Sequence, residues 1–411
     1  MTPTAAIPTD LITPLGAYLR LRESGRASFL LESVEQGRLG RNSWIGAGSR
    51  LLDFRAADGL DAPVVGYLAY DHAAVLEPTV PLPVDGPPFP DSRFVVTDTL
   101  VRFDHAAGVA EVLAGDADEV GALLAREVAP PATGGGVAGV LRRFPARERY
   151  EEMVRLSIEH IRAGDAFQIV PSQRAERPTS ATSLDVYRAL RRVNPSPYLF
   201  LLELDGIALV GSSPERLVAC EGGRASLCPI AGTTTPGEGE AERLLSSEKD
   251  KAEHVMLVDL GRNDLSRVCR APTVRVERFM EVERFSHVTH LVSEVVGELR
   301  EGVTPFDLLR ACFPAGTVSG APKVRAMQII SELEGYRRGP YAGAVLYALP
   351  EGTMDACIAL RTIVMQDGVA YLQAGAGVVA DSDPAAEHEE CLQKLAALEA
   401  AIDLAEQEYA R

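Results

Sequence analysis

The sequence predicts an α+β protein in which antiparallel β-sheets are covered by helices. Two pairs of neighbouring strand-like segments are each joined by a tight turn, Asp205-Gly206 in YLFLLELDGIALVG and Gly222-Gly223 in RLVACEGGRASLCPI. Such turns are typical of β-hairpins, whose strands are antiparallel. Helical segments are mixed with these hairpins without a strict β-α-β alternation, which argues against a doubly wound parallel sheet.

Other short apolar runs, rich in β-branched or aromatic residues, are each predicted to form one strand. They are residues 64–70 (VVGYLAY), 94–103 (FVVTDTLVRF), 109–114 (VAEVLA) and 167–170 (FQIV).

Helices in the second half have clear start and stop signals. Apolar residues recur at helical spacing from Tyr150 to Ile161, and Gly164 is expected to end that helix. Further helices are predicted to begin at a capping residue or a proline. These starts are Thr182 with Asp185, Thr304-Pro305, Pro322 and Asp383-Pro384.

A change in composition divides the chain. Residues 126–143 contain a Pro pair and three consecutive glycines, which are typical of a linker or a long surface loop. We therefore expect a first part, residues 1–125, and a second part, residues 144–411.

Composition also limits the class of function. The net charge of −17 over 411 residues would repel a phosphate backbone, so nucleic acid is not expected as a partner. No pair among the six cysteines is spaced C-x-x-C, which favours single thiols in a reducing compartment. The chain shows neither a signal peptide pattern nor an apolar run near the ~18 residues of a membrane span. We expect a cytoplasmic protein without a membrane partner.

Two acidic pairs have helical spacing. Asp250 and Glu253 lie three residues apart, and Glu387 and Glu390 repeat that spacing with Lys394 four residues further on. Carboxylates three apart share one face of a helix, so the two pairs could hold a hard divalent cation. The alternative is a solvated acidic face, which spacing alone favours.

Three other motifs remain ambiguous by themselves. Gly375-Ala376-Gly377 follows a strand and is either a backbone site for a ligand carboxylate or a simple strand-end turn. Residues 316–323 (GTVSGAPK) lack the Ser/Thr after the lysine that a phosphate-binding loop requires. His287 and His290 are three apart, and one catalytic or structural histidine is favoured over a metal pair.

In combination, the motifs are specific. The chain contains, in order, PSQR, NPSPYLF, GSSPERL, PIAGT, KAEHVMLVDLGRNDLSRVC, RFSHVTHLVSEVVGEL, LRACFPAGTVSGAPKVRAM, RRGPYAGAV, MDACIALRTIV, YLQAGAGVVADSDP and EHEECLQK. This set, from about Phe144 to Lys394, closely resembles the chorismate-utilising enzymes. Residues 28–46 (SFLLESVEQGRLGRNSWIG) resemble the feedback-domain motif of anthranilate synthase component I.

The resemblance implies two facing, largely antiparallel sheets with helices outside. It also implies a regulatory role for residues 1–125 and a chorismate-binding catalytic role for residues 144–411. Members of the family hold chorismate with Mg²⁺, whose matching ligands here are Glu253 and Glu390, supported by Asp250 and Glu387. Positions that match substrate contacts are Gln168, Gly232, Thr233, Tyr341, Arg361, Gly375, Ala376, Gly377 and Lys394.

The resemblance also assigns chemical roles. A nucleophile adds at ring C2 while the C4 hydroxyl leaves, and Glu215 matches the general acid that protonates this leaving group. His290 matches the residue placed to remove the C2 proton as pyruvate is eliminated, and Thr317 lies beside it.

Two positions favour ammonia as the nucleophile. Aminodeoxychorismate synthases usually have Lys where this chain has Ala231, and isochorismate and salicylate synthases use Lys where it has Gln168. The expected products are therefore anthranilate and pyruvate, with ammonia from a separate glutamine amidotransferase subunit. The alternatives are a 2-amino-2-deoxyisochorismate synthase and a non-catalytic regulatory subunit. The chain departs from the family at Thr234, Thr235 and Pro236, where Arg, Pro and Arg are usual.

Feedback inhibition by tryptophan is a further expectation from the resemblance. The matching inhibitor-binding positions are Ser33, Asn194, Pro195, Ser196, Pro197, Tyr198 and Leu199.

Overall fold

The computed structural model describes residues 1–33, 41–128, 139–234, 237, 239–284 and 289–408, apart from the side chains of Thr233, Arg243, Lys249 and Asp250. The strands of the described residues are β1 (Ala5–Pro8), β2 (Ala27–Glu32), β3 (Asn42–Gly48), β4 (Arg50–Leu52), β5 (Val64–Leu68), β6 (Ser92–Val96), β7 (Thr99–Asp104), β8 (Val109–Ala114), β9 (Arg142–Phe144), β10 (Gln168–Ile169), β11 (Ser172–Pro178), β12 (Tyr198–Leu204), β13 (Ile207–Ser213), β14 (Arg216–Glu221), β15 (Arg224–Leu227), β16 (Ile230–Thr234), β17 (Arg275–Arg284), β18 (Thr289–Glu298), β19 (Gly320–Ala321), β20 (Ala344–Ala348), β21 (Met354–Ile358), β22 (Thr362–Gln366) and β23 (Val369–Gly375).

The helices are α1 (Pro14–Leu21), α2 (Phe54–Ala57), α3 (Ala73–Leu76), α4 (Ala117–Leu124), α5 (Arg147–Arg162), α6 (Ser183–Val193), α7 (Glu240–Ser246), α8 (Glu248–Ser266), α9 (Pro305–Cys312), α10 (Lys323–Glu334) and α11 (Pro384–Glu408). None of those described is long and apolar enough to cross a membrane.

The strands form two large sheets and one small one. Sheet A has the order β1-β8-β7-β3-β2-β12-β13-β22-β23-β11-β9, and sheet B has the order β16-β18-β15-β14-β21-β20-β5-β6-β4, with β17 also paired to β18. Strands β10 and β19 form a separate ladder. Neighbouring strands run antiparallel in each sheet, as at β12 and β13 or β20 and β21.

The two sheets face each other. Strand β12 shows the period-2 alternation, because Leu199 and Leu201 point to the helices that cover sheet A while Phe200 and Leu202 point to sheet B. One core therefore lies between the sheets, and a second lies between sheet A and helices α1, α4, α6 and α11. A third core lies between sheet B and helices that include α8 and α9. The predicted α+β class, with antiparallel sheets and outer helices, is confirmed.

Most local predictions are confirmed. Asp205 and Gly206 have φ values of 48° and 93°, which suits the tight turn of the β12–β13 hairpin. Thr182 and Asp185 form a complete capping box at α6. Gly164, with φ 88°, lies just beyond α5.

Three local predictions were wrong in detail. Residues 94–103 form two strands, because the polar residues Thr97 and Asp98 carry the chain from β6 in sheet B to β7 in sheet A. The strand at residues 167–170 contains only Gln168 and Ile169. Pro322 is the N-cap of α10, with an extended ψ of 137°, and is not its first helical residue.

Both sheets contain strands from both parts of the chain. Strand β2 pairs with β12 in sheet A, and β5 pairs with β20 in sheet B. The division at residues 126–143 therefore separates neither sheet, and the assignment of different roles to the two parts stays a prediction.

Candidate active site

Two of the predicted site residues lie where the chain steps between the sheets. Glu215 lies between β13 of sheet A and β14 of sheet B, and Arg361 lies between β21 of sheet B and β22 of sheet A. Hydrogen bonds tie these crossings together: Ile358 N donates to Glu215 O at 3.0 Å, and Ser212 N donates to Arg361 O at 3.1 Å. Arg361 has φ 46°, an uncommon conformation for a long side chain and one that the two crossings fix.

Glu215 is a buried acid that keeps its proton at a higher pH than an ordinary glutamate does. Burial raises the pKa of Glu215 to about 7, and the hydrogen bond from Thr317 and the charge of Lys394 oppose part of this rise. Thr317 Oγ1 donates to Glu215 Oε1 at 3.0 Å. Thr317 lies in a short 3₁₀ turn, Gly316–Val318, which brings its hydroxyl to the carboxyl group.

His290 is held as a neutral imidazole. Its Nδ1 lies 2.9 Å from the carbonyl oxygen of Gly232. Burial lowers the pKa of His290, and the charge of Arg361 lowers it further. A carbonyl can only accept, so Nδ1 carries the hydrogen and Nε2 carries the lone pair that can take a proton. Gly232 has φ 64° and lies at an irregularity in the pairing of β16 and β18, which turns its carbonyl to the histidine.

Gln168 lies between the carboxylate of Glu253 and residues 375–377, called the glycine segment below. Its Nε2 donates to Glu253 Oε1 at 3.2 Å, and its Oε1 is buried without a hydrogen-bond partner among the described residues. A Cβ atom on Gly377 would lie 2.5 Å from Gln168 Nε2, so a larger residue at position 377 would displace the Gln168 side chain. The unpaired oxygen is a buried acceptor aimed at a site without a protein donor, which favours a ligand or water there.

The other end of the glycine segment contacts Lys394. Lys394 Nζ donates to Gly375 O at 2.9 Å and lies 2.7 Å from Glu390 Oε1. A Cβ atom on Gly375 would lie 3.0 Å from Tyr341 Oη, so Tyr341 closes over this segment. Ala376 between the glycines is fully buried.

The predicted metal ligands reach the same segment from two helices. Glu253 of α8 is partly buried, and Glu390 of α11 is exposed. The former is linked through Gln168 to Gly377 and the latter through Lys394 to Gly375. Glu387, one helical turn before Glu390, is buried.

No group of three or more potential metal-ligating side chains occurs in the described part of the chain. Two partly solvated carboxylates nevertheless fit Mg²⁺, which keeps several waters and is commonly held by one or two protein carboxylates together with a substrate.

A large cleft of about 1880 Å³ is lined by five of the seven predicted inhibitor positions. Ser33, Pro195, Ser196, Pro197 and Tyr198 line it. Ser33 Oγ and the nearby Asn194 Nδ2 have no hydrogen-bond partner within the residues described. Leu199, in contrast, points into the core between sheet A and its helices, so its side chain lies away from the cleft.

Asn194 connects the cleft segment with the crossings described above. Its carbonyl oxygen accepts a hydrogen bond from Ser212 Oγ, and Arg361 Nη1 lies at the long distance of 3.5 Å from its Oδ1. Burial lowers the pKa of Arg361 from its high ordinary value.

Some predicted positions lie outside the described residues. These are His287, Thr235 and Pro236, together with the side chains of Thr233 and Asp250.

The comparisons with known proteins agree with one another. A family described as chorismate binding enzyme matches residues 26–400. Anthranilate synthase component 1 of Thermus thermophilus is 44% identical over 447 aligned residues, covering 97% of this chain and 96% of that protein. The probable anthranilate synthase component 1 of Schizosaccharomyces pombe is 42% identical, with 98% and 93% covered.

Solved structures extend the similarity to the fold. Anthranilate synthase component I from Streptococcus pneumoniae superposes with a TM-score of 0.79 at 32% identity, covering 97% of this chain and all of that one. The menaquinone-specific isochorismate synthase from Escherichia coli has the same fold, with a TM-score of 0.77 at 21% identity, covering 98% of this chain and 95% of that one. The predicted resemblance is therefore confirmed, and the chain belongs to the family of chorismate binding enzymes.

Proposed function

We propose that this chain is the large subunit of an anthranilate synthase, which converts chorismate and ammonia into anthranilate and pyruvate. The observation that carries the proposal is that one family site combines a buried acid, Glu215, whose pKa is raised to about 7, with a base, His290, whose pKa is lowered by burial, and has Gln at position 168. The names of relatives that are 42–44% identical over nearly the whole chain support it.

Each protein group has one task in this reaction. Glu215 donates its proton to the C4 hydroxyl as ammonia adds at C2, because hydroxide is a poor leaving group. Arg361, charged and partly buried, binds a carboxylate of chorismate. His290 then takes the C2 proton as the bond to the enolpyruvyl oxygen breaks, which aromatises the ring and releases pyruvate. The Gly375–Gly377 backbone lies beside the substrate without side chains in the way.

Mg²⁺ is the cofactor that the carboxylates fit. Glu253 and Glu390 would hold it, with Asp250 and Glu387 in support. When bound, the ion supplies positive charge that offsets the ring carboxylate of the substrate.

Two other functions remain as alternatives. An enzyme that stops at 2-amino-2-deoxyisochorismate would not need a base for the C2 proton, so the neutral His290 favours the complete reaction. A non-catalytic regulatory subunit would not need a buried Glu215 whose pKa is raised to about 7. A cytoplasmic location stays a prediction from the sequence.

The decisive measurement is product analysis. Pure protein with chorismate, Mg²⁺ and ammonium is expected to form anthranilate and pyruvate in equal amounts. Aminodeoxyisochorismate as the final product would replace our proposal with the first alternative, and absence of turnover would support the second.

Glutamine is expected to give no anthranilate with this chain alone. The sequence contains no nucleophilic cysteine in a Gly-rich elbow of the kind that amide hydrolysis needs. We therefore propose that a separate glutamine amidotransferase subunit supplies ammonia. Measuring anthranilate with glutamine in place of ammonium tests this, and glutamine-dependent product from the pure chain would contradict it.

Tryptophan is expected to inhibit the reaction by binding in the cleft. Ser33 lines the cleft, and its Oγ is a buried polar atom without a described partner that an amino-acid ligand could satisfy. Ser33→Ala should weaken inhibition by about threefold to tenfold, the value of one hydrogen bond, and leave uninhibited turnover nearly unchanged. Titrating tryptophan against ammonia-dependent activity measures the shift.

The matched control is Ser24→Ala, since Ser24 lies outside the cleft lining and its hydroxyl donates to Leu21 O at 2.6 Å. An equal shift in the two variants, or activity that is insensitive to millimolar tryptophan, would remove the cleft from this role.

A further inference from the structure

A buried ion pair lies behind the active site. Arg338 and Glu334 are 3% and 9% exposed, and two hydrogen bonds join them: Nε to Oε2 at 3.0 Å and Nη2 to Oε1 at 2.6 Å. A buried ion pair is often no more stabilising than apolar packing of the same volume. The placement of this pair therefore suggests a role besides stability.

The remaining donors of Arg338 bind two segments that carry site residues. Nη2 donates to Val170 O at 2.7 Å, and Nη1 donates to Val318 O at 2.8 Å. Val170 comes two residues after Gln168, and Val318 follows Thr317 directly. The same two segments meet at the β10–β19 ladder, where Val170 N also donates to Ser319 O at 3.0 Å.

Glu334 extends the contact to the glycine segment. Its Oε1 accepts hydrogen bonds from Ser172 N at 2.8 Å and Ser172 Oγ at 2.7 Å. Ser172 is paired with Gly375 in the β11–β23 register. The guanidinium of Arg338 also lies 5.7 Å from the centre of the Tyr341 ring. The ion pair thus contacts three segments that carry site residues, those of Gln168, Thr317 and Tyr341, and reaches Gly375 through Ser172.

We propose that Arg338 is a positioning residue, which holds the Gln168 and Thr317 segments at a fixed separation so that both side chains reach the reacting molecule together. This inference rests on the proposed function. Arg is suited to the task because its planar fork donates in several fixed directions at once, whereas a lysine ammonium cannot reproduce that geometry. Asp71 also fixes the loop that carries Arg338. Its carboxylate accepts hydrogen bonds from Arg338 N at 3.1 Å and Gly339 N at 2.9 Å.

The test uses Arg338→Lys, which keeps the charge beside Glu334. We expect kcat to fall by about tenfold to a hundredfold, since a misplacement near 1 Å costs about 10²-fold. The melting temperature should fall as well, because buried acceptors such as Val170 O and Val318 O lose their donor. The pH profile supplies a second readout. Thr317 and the charged Lys394 face Glu215 and lower its pKa. Displacing Thr317 should therefore raise this pKa and move the fall of kcat with rising pH, here called the alkaline limb, to higher pH.

A double-mutant cycle with Thr317→Val separates positioning from general stability. If Arg338 acts through Thr317, the double variant should lose little more than the larger single loss, and both single variants should shift the alkaline limb alike. Arg337→Lys is the matched control, because Arg337 donates to Pro83 O on the outer side of the loop. Its loss should be small and additive with that of Thr317→Val.

Hydrogen exchange tests the contact without using activity. Amides of residues 168–170, 172 and 316–319 should exchange faster in Arg338→Lys than in the wild type, and not in Arg337→Lys. Unchanged exchange, or an Arg338→Lys enzyme that melts earlier but retains its kcat and its alkaline limb, would overturn the inference. A wild type that forms no product from chorismate would instead refute the proposed function, and the exchange measurement would still decide whether Arg338 fixes the two segments.

Discussion

Glu215→Gln is expected to lower kcat by about 10²- to 10⁴-fold, the usual contribution of a positioned general acid. The amide has nearly the same shape and can still accept the hydrogen bond from Thr317, so the fold should persist. What the variant loses is the proton that the C4 hydroxyl needs in order to leave. Steady-state turnover with ammonium and saturating chorismate measures the loss.

The pH dependence follows from the same group. Burial raises the pKa of Glu215 to about 7, so the acid is protonated below this pH and ionised above it. A general acid acts in its protonated form, and the kcat of the wild type should therefore fall as pH rises through about 7. This alkaline limb should be absent from the residual activity of Glu215→Gln.

Stability provides an independent check of the same pKa. The folded-state pKa lies above the ordinary value of 4.5, so the contribution of the neutral carboxyl is complete below about pH 4.5 and is lost as pH rises through about 7. The melting temperature of Glu215→Gln should accordingly fall less between pH 5 and pH 8 than that of the wild type. Glu221→Gln, at the exposed end of β14, the strand that follows Glu215, is the control and should match the wild type in both measurements. A Glu215→Gln enzyme with near-normal kcat would eliminate Glu215 as the acid.

Glu253→Gln is expected to lower turnover by about a hundredfold or more. An amide is a poorer ligand for a hard cation than a carboxylate, and the charge that a metal contributes is typically worth several kcal/mol. The substitution should also raise the Mg²⁺ concentration required for half-maximal activity. A magnesium titration of wild type and variant at fixed chorismate and ammonium gives both quantities.

Glu248→Gln tests whether the effect is specific to the site. Glu248 begins the same helix, is exposed and pairs with Lys251, so its removal should change the magnesium dependence little. Wild-type activity that persists in excess chelator, or equal magnesium curves for the Glu248 and Glu253 variants, would contradict the metal assignment.

Local sequence signals predicted local structure well, because turns and caps depend on a few neighbouring residues. The Asp205-Gly206 turn and the Thr182–Asp185 capping box are examples. The prediction of one strand at residues 94–103 failed because an apolar run does not reveal that the chain passes from one sheet to the other at Thr97-Asp98. That change depends on partners elsewhere in the chain.

The site could not be derived from spacing. Glu215, His290 and Thr317 come from a sheet crossing, a strand and a 3₁₀ turn, far apart in sequence. Their assignment came from the family resemblance, and their roles stay predictions. The Arg338–Glu334 pair was not predicted, since α10 ends at Glu334 and helical spacing does not continue to Arg338. The run RRGPYAGAV was part of the resemblance, but nothing in that pattern indicates which arginine is buried.

The sharing of both sheets by the two parts of the chain has a consequence during synthesis. Leu30 of β2 can pair with Leu201 only after β12 has been synthesised, and Val65 of β5 can pair with Tyr347 only after β20 has been synthesised. Until those later strands leave the ribosome, the early ones keep an unpaired edge that can recruit another chain. The nascent protein is therefore expected to need protection from aggregation until its C-terminal strands emerge. By the same logic, removing residues 1–125 would not release an independent catalytic unit, because it would expose the edges of β12 and β20.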